Sequence, residues 1–294
     1  MGSPEAEFTI DTTLVRRLLV EQHPDFAHLP IRLLDSGWDN VIFRLGDRLC
    51  VRLPRRTASA ALIKHEQAWL SRLATQLPIA IPVPLRTGSA NGYFPWSWSI
   101  VPWIEGTSAD QAALLPSQAG ALGRFLGALH RQVPTGAPHN PYRGIPLTER
   151  ARDMEDRLGR LIPILGQNRH SLQHTWEATL AATIDTPPAL LHGDLHPQNI
   201  VVHDGIIAGI LDWGDICVGD AATDLAALWM LFGDSALYAS FWEAYGPASP
   251  STLRRAEGWA LMFGAILLDT GLINNPRHAR LGRNILENVL QTTL

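Results

Sequence analysis

The stretch LLHGDLHPQNIVV, from Leu190 to Val202, places two histidines, an aspartate and an asparagine between two apolar runs. Short apolar runs of this kind are typical of buried strands, so the polar side chains would lie in a loop that the strands hold in place. Three kinds of site use such side chains: a zinc site, one corner of a metallophosphatase, and the catalytic loop of a phosphotransferase. Each kind of site requires a different spacing of these polar residues, so the spacing distinguishes the three hypotheses.

The two histidines suit a zinc site only if the segment is helical. His192 and His196 are four residues apart, as zinc ligands on one helix face would be. Gly193 disfavours a helix, Pro197 interrupts one, and the glutamate that serves as base in the helical zinc motif is absent. A metallophosphatase needs two metals with further ligands, and beyond Asp212 no second cluster is convincing. We therefore expect neither of these sites.

The phosphotransferase hypothesis explains more of the positions. Phosphoryl transfer needs one aspartate to orient the attacking hydroxyl, and an asparagine and a second aspartate to hold Mg²⁺ on the phosphates. Protein kinases place the first aspartate and the asparagine five residues apart, which is the spacing of Asp194 and Asn199. The segment that follows, IVVHDGIIAGIL, has two apolar runs around the turn HDG. It predicts a hairpin that delivers Asp212 to its tip, next to Asn199.

The apolar pattern divides the chain into two unequal parts. The first third reads as a helix, DTTLVRRLLVEQHP, followed by strands in IRLLDSG, NVIFRL and RLCVRL, the last two forming a hairpin. A helix over ASAALIKHEQAWLSRLATQL and a strand in YFPWSWSIVPWIEG come next, and the rest is rich in helical patterns. This order predicts an α+β fold, with a small strand-rich N-terminal lobe (1–104), a larger helical C-terminal lobe (105–294) and a site between them.

Composition limits the environment and the partners. The 294 residues carry a formal net charge of −4, which is weak support for the absence of a nucleic-acid partner. Cys50 and Cys217 lie far apart in apolar runs, and we expect buried free thiols in a reducing cytoplasm. The N-terminus lacks the pattern of a signal peptide, and the apolar stretch WALMFGAILLDTGLI is interrupted and too short to span a bilayer. We expect a cytoplasmic protein, monomeric or weakly dimeric, with no membrane partner.

The motif HGDLHPQN followed by ILDWGD resembles the catalytic signature of the aminoglycoside phosphotransferase family. This family includes macrolide phosphotransferases and has a protein-kinase-like fold. The segments LGRFLGALH and GDAATDLA also resemble it, and the similarity runs from about Ile31 to the last helices. The resemblance implies that Asp194 is the catalytic base or hydroxyl-orienting group, and that Asn199 and Asp212 are Mg²⁺ ligands. The residues expected to shape the loop without taking part in chemistry are His192, His196, Asp220 and Asp224.

The resemblance also implies a nucleotide side with one departure from the family pattern. The family uses a lysine on the third strand, paired with a helix glutamate, to bind the α- and β-phosphates. Here the strand position is Arg52, and the glutamate is Glu66. Arginine keeps the charge but is not equivalent to lysine at a tight site. The remaining expected nucleotide contacts are Ser36 and the backbone of Gly37 at the phosphates, and backbone groups around Ile100, Val101 and Trp103 at the base.

The sequence leaves the acceptor open. Trp213 and Asp215 are candidate substrate contacts, since aromatic walls would suit a macrolide and an acidic rim an aminoglycoside. We expect a Mg²⁺-dependent transfer from ATP or GTP to a hydroxyl of a small antibiotic, with an aminoglycoside ahead of a macrolide. The alternatives are a metabolic kinase for an amino alcohol or a sugar, and, from another class, a catalytically inactive nucleotide-binding module.

Overall fold

The computed structural model of the protein describes residues 5–131 and 133–291. Within these ranges, the strands are β1 (Ile31–Ser36), β2 (Asn40–Leu45), β3 (Leu49–Pro54), β4 (Arg86–Gly88), β5 (Trp98–Pro102), β6 (Thr107–Ser108), β7 (Ala189–Leu191), β8 (Ile200–His203), β9 (Ile206–Ile210) and β10 (Cys217–Gly219). The α-helices are α1 (Thr12–Gln22), α2 (Thr57–Leu73), α3 (Gln118–His130), α4 (Ala151–Leu165), α5 (Arg169–Leu180), α6 (Ala222–Leu225), α7 (Ala227–Leu231), α8 (Tyr238–Tyr245), α9 (Pro250–Asn274) and α10 (Pro276–Gln291). This arrangement confirms the predicted α+β class.

An antiparallel sheet with the strand order β1-β2-β3-β5-β4 forms the N-terminal part. Alternate residues of a strand share one face, and on this face Phe43 pairs with Val51 across the central hairpin. Helix α1 covers the same face through Val15 and Leu18, which belong to one buried cluster with Phe43 and Val51. The predicted strands β1, β2, β3 and β5 are confirmed. Strand β4 is not predicted by the sequence, because its three residues show no apolar alternation.

Helix α2 connects the cores of the two parts. Near its start, Ala60 packs against the core of the sheet, whereas Trp69, Leu70 and Leu73 belong to the large core of the C-terminal part. The helix therefore has a fixed position against β3, which matters for the site. The sheet ends at Pro102, and the lobe boundary between residues 104 and 105 stays a prediction.

The centre of the C-terminal part is α9, which contacts α4, α5, α6, α7 and α10. The expectation that its apolar stretch is too short to span a bilayer is wrong, because Pro250–Asn274 is a continuous helix of 25 residues whose N-terminus Ser249 caps. Among the described residues it is the one helix long and apolar enough to cross a membrane, but 72% of its apolar window is buried inside the protein. Burial within a helical core explains why it is apolar on nearly every face.

The segment that contains both motifs, residues 189–212, forms the short strands β7, β8 and β9. Strands β8 and β9 form the predicted hairpin, in which Ile200 pairs with Ile210. Asp212 lies past the open end of this hairpin and not at its tip, so that detail of the prediction is wrong. The N–H of Leu211 donates to the carbonyl of Asn199 at 2.8 Å, which continues the ladder and still brings Asp212 beside Asn199.

Candidate active site

The loop after β7 is held by one buried carboxylate. Asp224 accepts the backbone N–H groups of His192 at 2.7 Å and of Gly193 at 2.8 Å. Both nitrogens of the His192 ring have partners, since Nδ1 accepts the N–H of Asp194 at 3.2 Å and Nε2 lies 2.9 Å from the carbonyl of Leu211. Nε2 therefore carries the proton of a neutral ring. His192 is fully buried, and it supports the loop with no lone pair left for a metal.

The turn at Gly193 explains the glycine of the motif. Its φ is +85°, and a Cβ there would lie 2.5 Å from the carbonyl oxygen of Asp215. A larger residue would therefore be strained and would collide with the backbone that follows Asp212. The close approach puts Asp194 directly opposite the segment that carries Asp215.

Asp194 and Asn199 are joined within the loop itself. The Asn199 Nδ2 amide donates to the Asp194 carbonyl at 2.8 Å and lies 3.3 Å from the Asp194 carboxylate. His196 caps the short 3₁₀ turn Pro197–Asn199, because its Nδ1 accepts the N–H of Gln198 at 3.2 Å. The other ring nitrogen of His196 lies 3.4 Å from the Asp194 carboxylate. These contacts place His196 both at the turn and beside the Asp194 carboxylate.

Asp212 has an unusual backbone conformation. Its φ is +59°, and among the described non-glycine residues only Asp204, in the hairpin turn, shares a positive value. Such conformations are found at functional sites, where surrounding contacts hold them in place. The half-exposed carboxylate accepts Arg52 Nη2 at 3.1 Å. Asn199 thus contacts Asp194 directly, and the bond from the Leu211 N–H to the Asn199 carbonyl brings Asp212 next to the same turn.

Arg52 links strand β3 to both helix α2 and the catalytic segment. Its Nη1 donates to Glu66 at 2.8 Å, while its Nη2 donates to Asp212. The Glu66 carboxylate also accepts the backbone N–H of Trp213 at 2.9 Å. Burial opposes the charge of Arg52, but the carboxylates of Glu66 and Asp212 outweigh it and hold its pKa above the usual value. Arginine can bind both carboxylates at once because its donors form a fork.

Two expected nucleotide contacts have their N–H groups occupied in other ways. The N–H of Gly37 donates to the carbonyl of Asn40 at 3.0 Å inside the β1–β2 turn, and the N–H of Trp103 donates to Arg48 at 2.8 Å. These two N–H groups are therefore not free for a ligand, which corrects the prediction. Ser36 lies exposed at the end of β1. The side chains of Ile100 and Val101 are buried in the sheet.

The candidate substrate contact Trp213 lies in the core. Its side chain is fully buried, its Nε1 donates to the carbonyl of Ile210 at 3.0 Å, and its ring packs edge-on against His192 at 4.7 Å and Phe125 at 6.2 Å. The expectation that it lines an acceptor pocket is wrong, because an apolar ring here fills the space under the catalytic loop.

The segment after Asp212 is held by two contacts of Asp220, one with Arg255 and one with the N–H of Ala222. Arg255 of α9 binds Asp220 through Nε at 2.7 Å and Nη2 at 3.2 Å, and both side chains are buried. The same carboxylate accepts the N–H of Ala222 at 3.2 Å. Asp220 therefore ties the start of α6 to α9, as Asp224 ties α6 to the catalytic loop.

The acceptor side contains residues that the motifs do not predict. A loop, residues 138–144, runs along the segment after Asp212 and carries Asn140 and Arg143. Arg143 Nη2 donates to the Asp194 carboxylate at 2.8 Å, and Asn140 Nδ2 donates to Asp215 at 2.6 Å. Burial, together with the nearby charge of Asp194, raises the pKa of Asp215 despite the opposing effect of Arg143. Proline and glycine in HNPYRGIP predict a loop but give no sign of its partners.

The far wall of the acceptor side comes from α4, α9 and α10. Asp269 of α9 accepts Arg157 at 3.0 Å and Arg160 at 2.6 Å. His278, near the start of α10, contacts Gln198 of the catalytic turn at 3.0 Å. The charge of Asp269 is therefore neutralised by two arginines.

Comparisons with known proteins agree with this geometry. Residues 30–259 match the model of a family described as the phosphotransferase enzyme family. A viomycin phosphotransferase from Streptomyces vinaceus is 26% identical over 203 residues, which cover 66% of this chain and 71% of that protein.

Solved structures extend the similarity over nearly the whole chain. The GDP complex of an aminoglycoside 2′-phosphotransferase covers 96% of this chain and 99% of its own, with a TM-score of 0.74 at 17% identity. A macrolide 2′-phosphotransferase from Brachybacterium faecium covers 94% and 97%, with a TM-score of 0.62 at 21% identity. At such identities the likeness speaks for the fold, and it confirms the two-lobed architecture predicted from the sequence.

Proposed function

The chain belongs to the phosphotransferase enzyme family, and from this premise we propose that it moves the γ-phosphate of ATP or GTP to a hydroxyl of a small antibiotic, with Mg²⁺ as cofactor. The match confirms the resemblance read from HGDLHPQN and ILDWGD. The observation that carries the proposal is the convergence of Asp194, Asn199 and Asp212 next to the Arg52–Glu66 pair.

The donor groups present fit a magnesium ion. The Asn199 amide nitrogen is engaged by the Asp194 carbonyl, which leaves the amide oxygen as a ligand. Asp212 shares one carboxylate oxygen with Arg52 and keeps the other. Carboxylate and amide oxygens are the hard ligands that Mg²⁺ prefers. When bound, the ion would neutralise charge on the phosphates.

The protein side chains would then act on the phosphates and on the acceptor. Arg52 would contact the α- and β-phosphates, held in place by Glu66. Asp194 would orient the acceptor hydroxyl and take its proton. As the acceptor oxygen forms its bond to the γ-phosphorus, the bond from that phosphorus to the β-γ bridging oxygen breaks, and the nucleoside diphosphate leaves.

The base of the nucleotide would lie against the edge of β5. Antiparallel residues alternate between pointing toward and away from a given neighbour. Because the Trp103 N–H points to β3, the carbonyl of Pro102 and the N–H of Ile104 would point to the cleft. We therefore propose these two groups as contacts of the base in place of the Trp103 N–H. A backbone contact of this kind does not discriminate between ATP and GTP.

An antibiotic acceptor is supported by what related proteins are called. One relative is a viomycin phosphotransferase, and structures of the same fold include aminoglycoside and macrolide phosphotransferases. Because Asp269 is already paired with Arg157 and Arg160, this carboxylate does not favour a strongly cationic aminoglycoside over the other classes. An inactive nucleotide-binding module loses part of its support, since Arg52 makes the contact with the helix glutamate that is expected of the family's lysine. We also propose a cytoplasmic location, where both nucleotides and Mg²⁺ are abundant.

A transfer assay tests the proposal. Purified protein is incubated with γ-labelled ATP or GTP, with and without Mg²⁺, against aminoglycosides, macrolides and a viomycin-type peptide. We expect label on one class of acceptor, only with Mg²⁺ present. Asp194→Asn serves as the control that retains the fold. Label on an amino alcohol or a sugar alone would instead favour a metabolic kinase, and nucleotide binding with transfer to no acceptor would favour an inactive module.

A further inference from the structure

Arg143 lies in a loop that is fastened to the catalytic segment. The N–H of Gly144 donates to the Thr223 hydroxyl at 3.2 Å, and the Gly144 carbonyl accepts the N–H of Asp220 at 2.8 Å. The N–H of Val218 donates to the Pro138 carbonyl at 2.9 Å. The loop is therefore hydrogen-bonded to residues 218–223, the segment that also contains Asp220. These bonds fix the position of Arg143.

Gly144 makes this fastening possible. Its φ is +68°, and a Cβ would lie 2.8 Å from the Leu191 side chain and 2.9 Å from the Gly219 backbone. A glycine at this place lets the two backbones touch. The residue before it, Arg143, is thereby brought within reach of Asp194.

The guanidinium of Arg143 contacts one oxygen of the catalytic carboxylate. Nη2 donates to Asp194 Oδ1 at 2.8 Å, and the two side chains are only 16% and 21% exposed. The other oxygen, Oδ2, has longer contacts, 3.3 Å from Asn199 Nδ2 and 3.4 Å from His196 Nε2. The contact with Arg143 is the shortest that the carboxylate makes, so Arg143 has the largest part in setting its orientation.

The other face of the guanidinium rests on the acceptor wall. Its carbon lies 4.9 Å from the ring centroid of Phe263 in α9, a cation–π contact. Nε has no hydrogen-bond partner among the described residues. Arg143 is therefore held by the base on one side and by the ring of α9 on the other, and it connects the two.

We propose that Arg143 is a positioning residue for phosphoryl transfer. It holds the Asp194 carboxylate through Oδ1 in the orientation that receives the acceptor hydroxyl, and it couples the orientation of the base to helix α9. The inference rests on the proposed function, because it assigns Asp194 the role of orienting the hydroxyl. Charged hydrogen bonds of this kind fix direction as well as adding stability, and a misplaced reacting group slows a reaction strongly.

The test compares three variants. Arg143→Ala removes the contact, Arg143→Lys keeps a charge without the fork, and Arg150→Ala is the matched control. Arg150 is another arginine that holds the same loop, through the Tyr142 carbonyl at 2.9 Å and Asp153 at 2.7 Å. We expect Arg143→Ala to lower kcat by about 10²-fold with little change in the nucleotide KM. Arg143→Lys should recover part of that loss, and added guanidinium ions should partly rescue the alanine variant.

Two kinetic results would overturn the inference. One is an Arg143→Ala variant with unchanged kcat, and the other is an equal loss of kcat in Arg150→Ala, which would mean that the loop matters and the guanidinium does not. A crystal structure of Arg143→Ala gives a readout that needs no activity. If the Asp194 side chain changes its rotamer, the inference is supported even when the wild-type protein transfers phosphate to no acceptor; if the rotamer is unchanged, the inference is wrong. Wild-type turnover in the same assay reports separately on the proposed function.

Discussion

The two sides of the proposed site each place an arginine against an aspartate of the motifs, but they do so by different means. On the nucleotide side, Arg52 reaches Asp212 at 3.1 Å from the middle of a central strand. On the acceptor side, Arg143 reaches Asp194 at 2.8 Å from an irregular loop. A strand and a helix fix Arg52 and Glu66 through their register, whereas Arg143 depends on a few backbone bonds and one glycine.

Because of this difference, we expect substitutions to have different consequences on the two sides. The nucleotide side is built into regular elements with buried cores, so a change there should cost stability as well as binding. The acceptor side is built on a loop, and loops carry functional residues while varying more freely than the elements that support them. We therefore expect changes at the acceptor side to alter acceptor use before they alter folding.

Asp194 contacts both Arg143 of the acceptor side and Asn199. Its replacement should have the largest effect. Asp194→Asn retains the shape of the side chain but removes the group that accepts the proton. We expect kcat to fall by about 10³-fold, while binding of the nucleotide, followed by titration calorimetry, stays near the wild-type value. A variant with a near-normal rate would remove Asp194 from its assigned role.

Arg52 should show the stability cost of the nucleotide side. Arg52→Met leaves the buried Glu66 without its cation, and breaking a buried pair in this way costs about 3–5 kcal/mol. Urea unfolding at pH 7.5 measures that loss, and Arg52→Lys, which keeps a cation, is the control. Equal stability of Arg52→Met and wild type would contradict the role of the pair.

The same variant should have a characteristic pH dependence. Burial already raises the pKa of Glu66 in the native protein, and loss of Arg52 would raise it further. A carboxyl group whose pKa is higher in the folded state than in the unfolded state binds more protons when folded, so stability increases as pH falls. We expect Arg52→Met to recover part of its lost stability relative to wild type between pH 7.5 and pH 5.5. A deficit that stays constant over this range would argue that Glu66 does not titrate there.

Asn140 should show the opposite behaviour on the acceptor side. Asn140→Ala removes the 2.6 Å hydrogen bond to Asp215, and the loss of such a partner at a half-buried carboxylate is worth about 1 kcal/mol. We expect the acceptor KM to rise severalfold with the nucleotide KM unchanged, and the Tm to fall by only about 2–4 °C. Asn91→Ala, which removes a turn hydrogen bond to Phe94 far from the cleft, is the control. A larger change in the nucleotide KM than in the acceptor KM would erase the distinction between the two sides.

Labelling of the two cysteines should show the smallest difference between the two sides. The labelling rates compare how readily the structure around each thiol opens to the reagent. Cys50 lies on β3 of the nucleotide side, and burial raises its pKa to about 11. Cys217 lies under the Arg143 carbonyl, 3.8 Å away, and burial raises its pKa even further. We expect both native thiols to react slowly with Ellman's reagent at pH 8 and both to react fully in urea. If the loop over residues 138–144 opens more readily than the sheet, Cys217 will label before Cys50.

Sequence reasoning was most successful where contacts are local. The predicted hairpin, the helix carrying Glu66 and the five-residue spacing of Asp194 and Asn199 all depend on hydrogen bonds between near neighbours. The errors have local causes too. The turn N–H of Gly37 and the strand N–H of Trp103 are used by the backbone itself, which a motif does not reveal. Trp213 was assigned to a pocket wall although it fills the core, because composition alone does not distinguish the two environments.

The sequence by itself determined the identity and the spacing of the motif residues Asp194, Asn199 and Asp212, since residues within one loop or hairpin meet through backbone geometry. Only the tertiary structure decided which distant side chains hold them. Arg143 and Asp194 are separated by 51 positions, and Asn140 and Asp215 by 75. No periodic pattern connects such pairs, because their meeting depends on how the helical core packs and where one glycine lets two backbones touch. The side-chain contacts of the acceptor side are therefore the part of this enzyme that only the tertiary structure revealed.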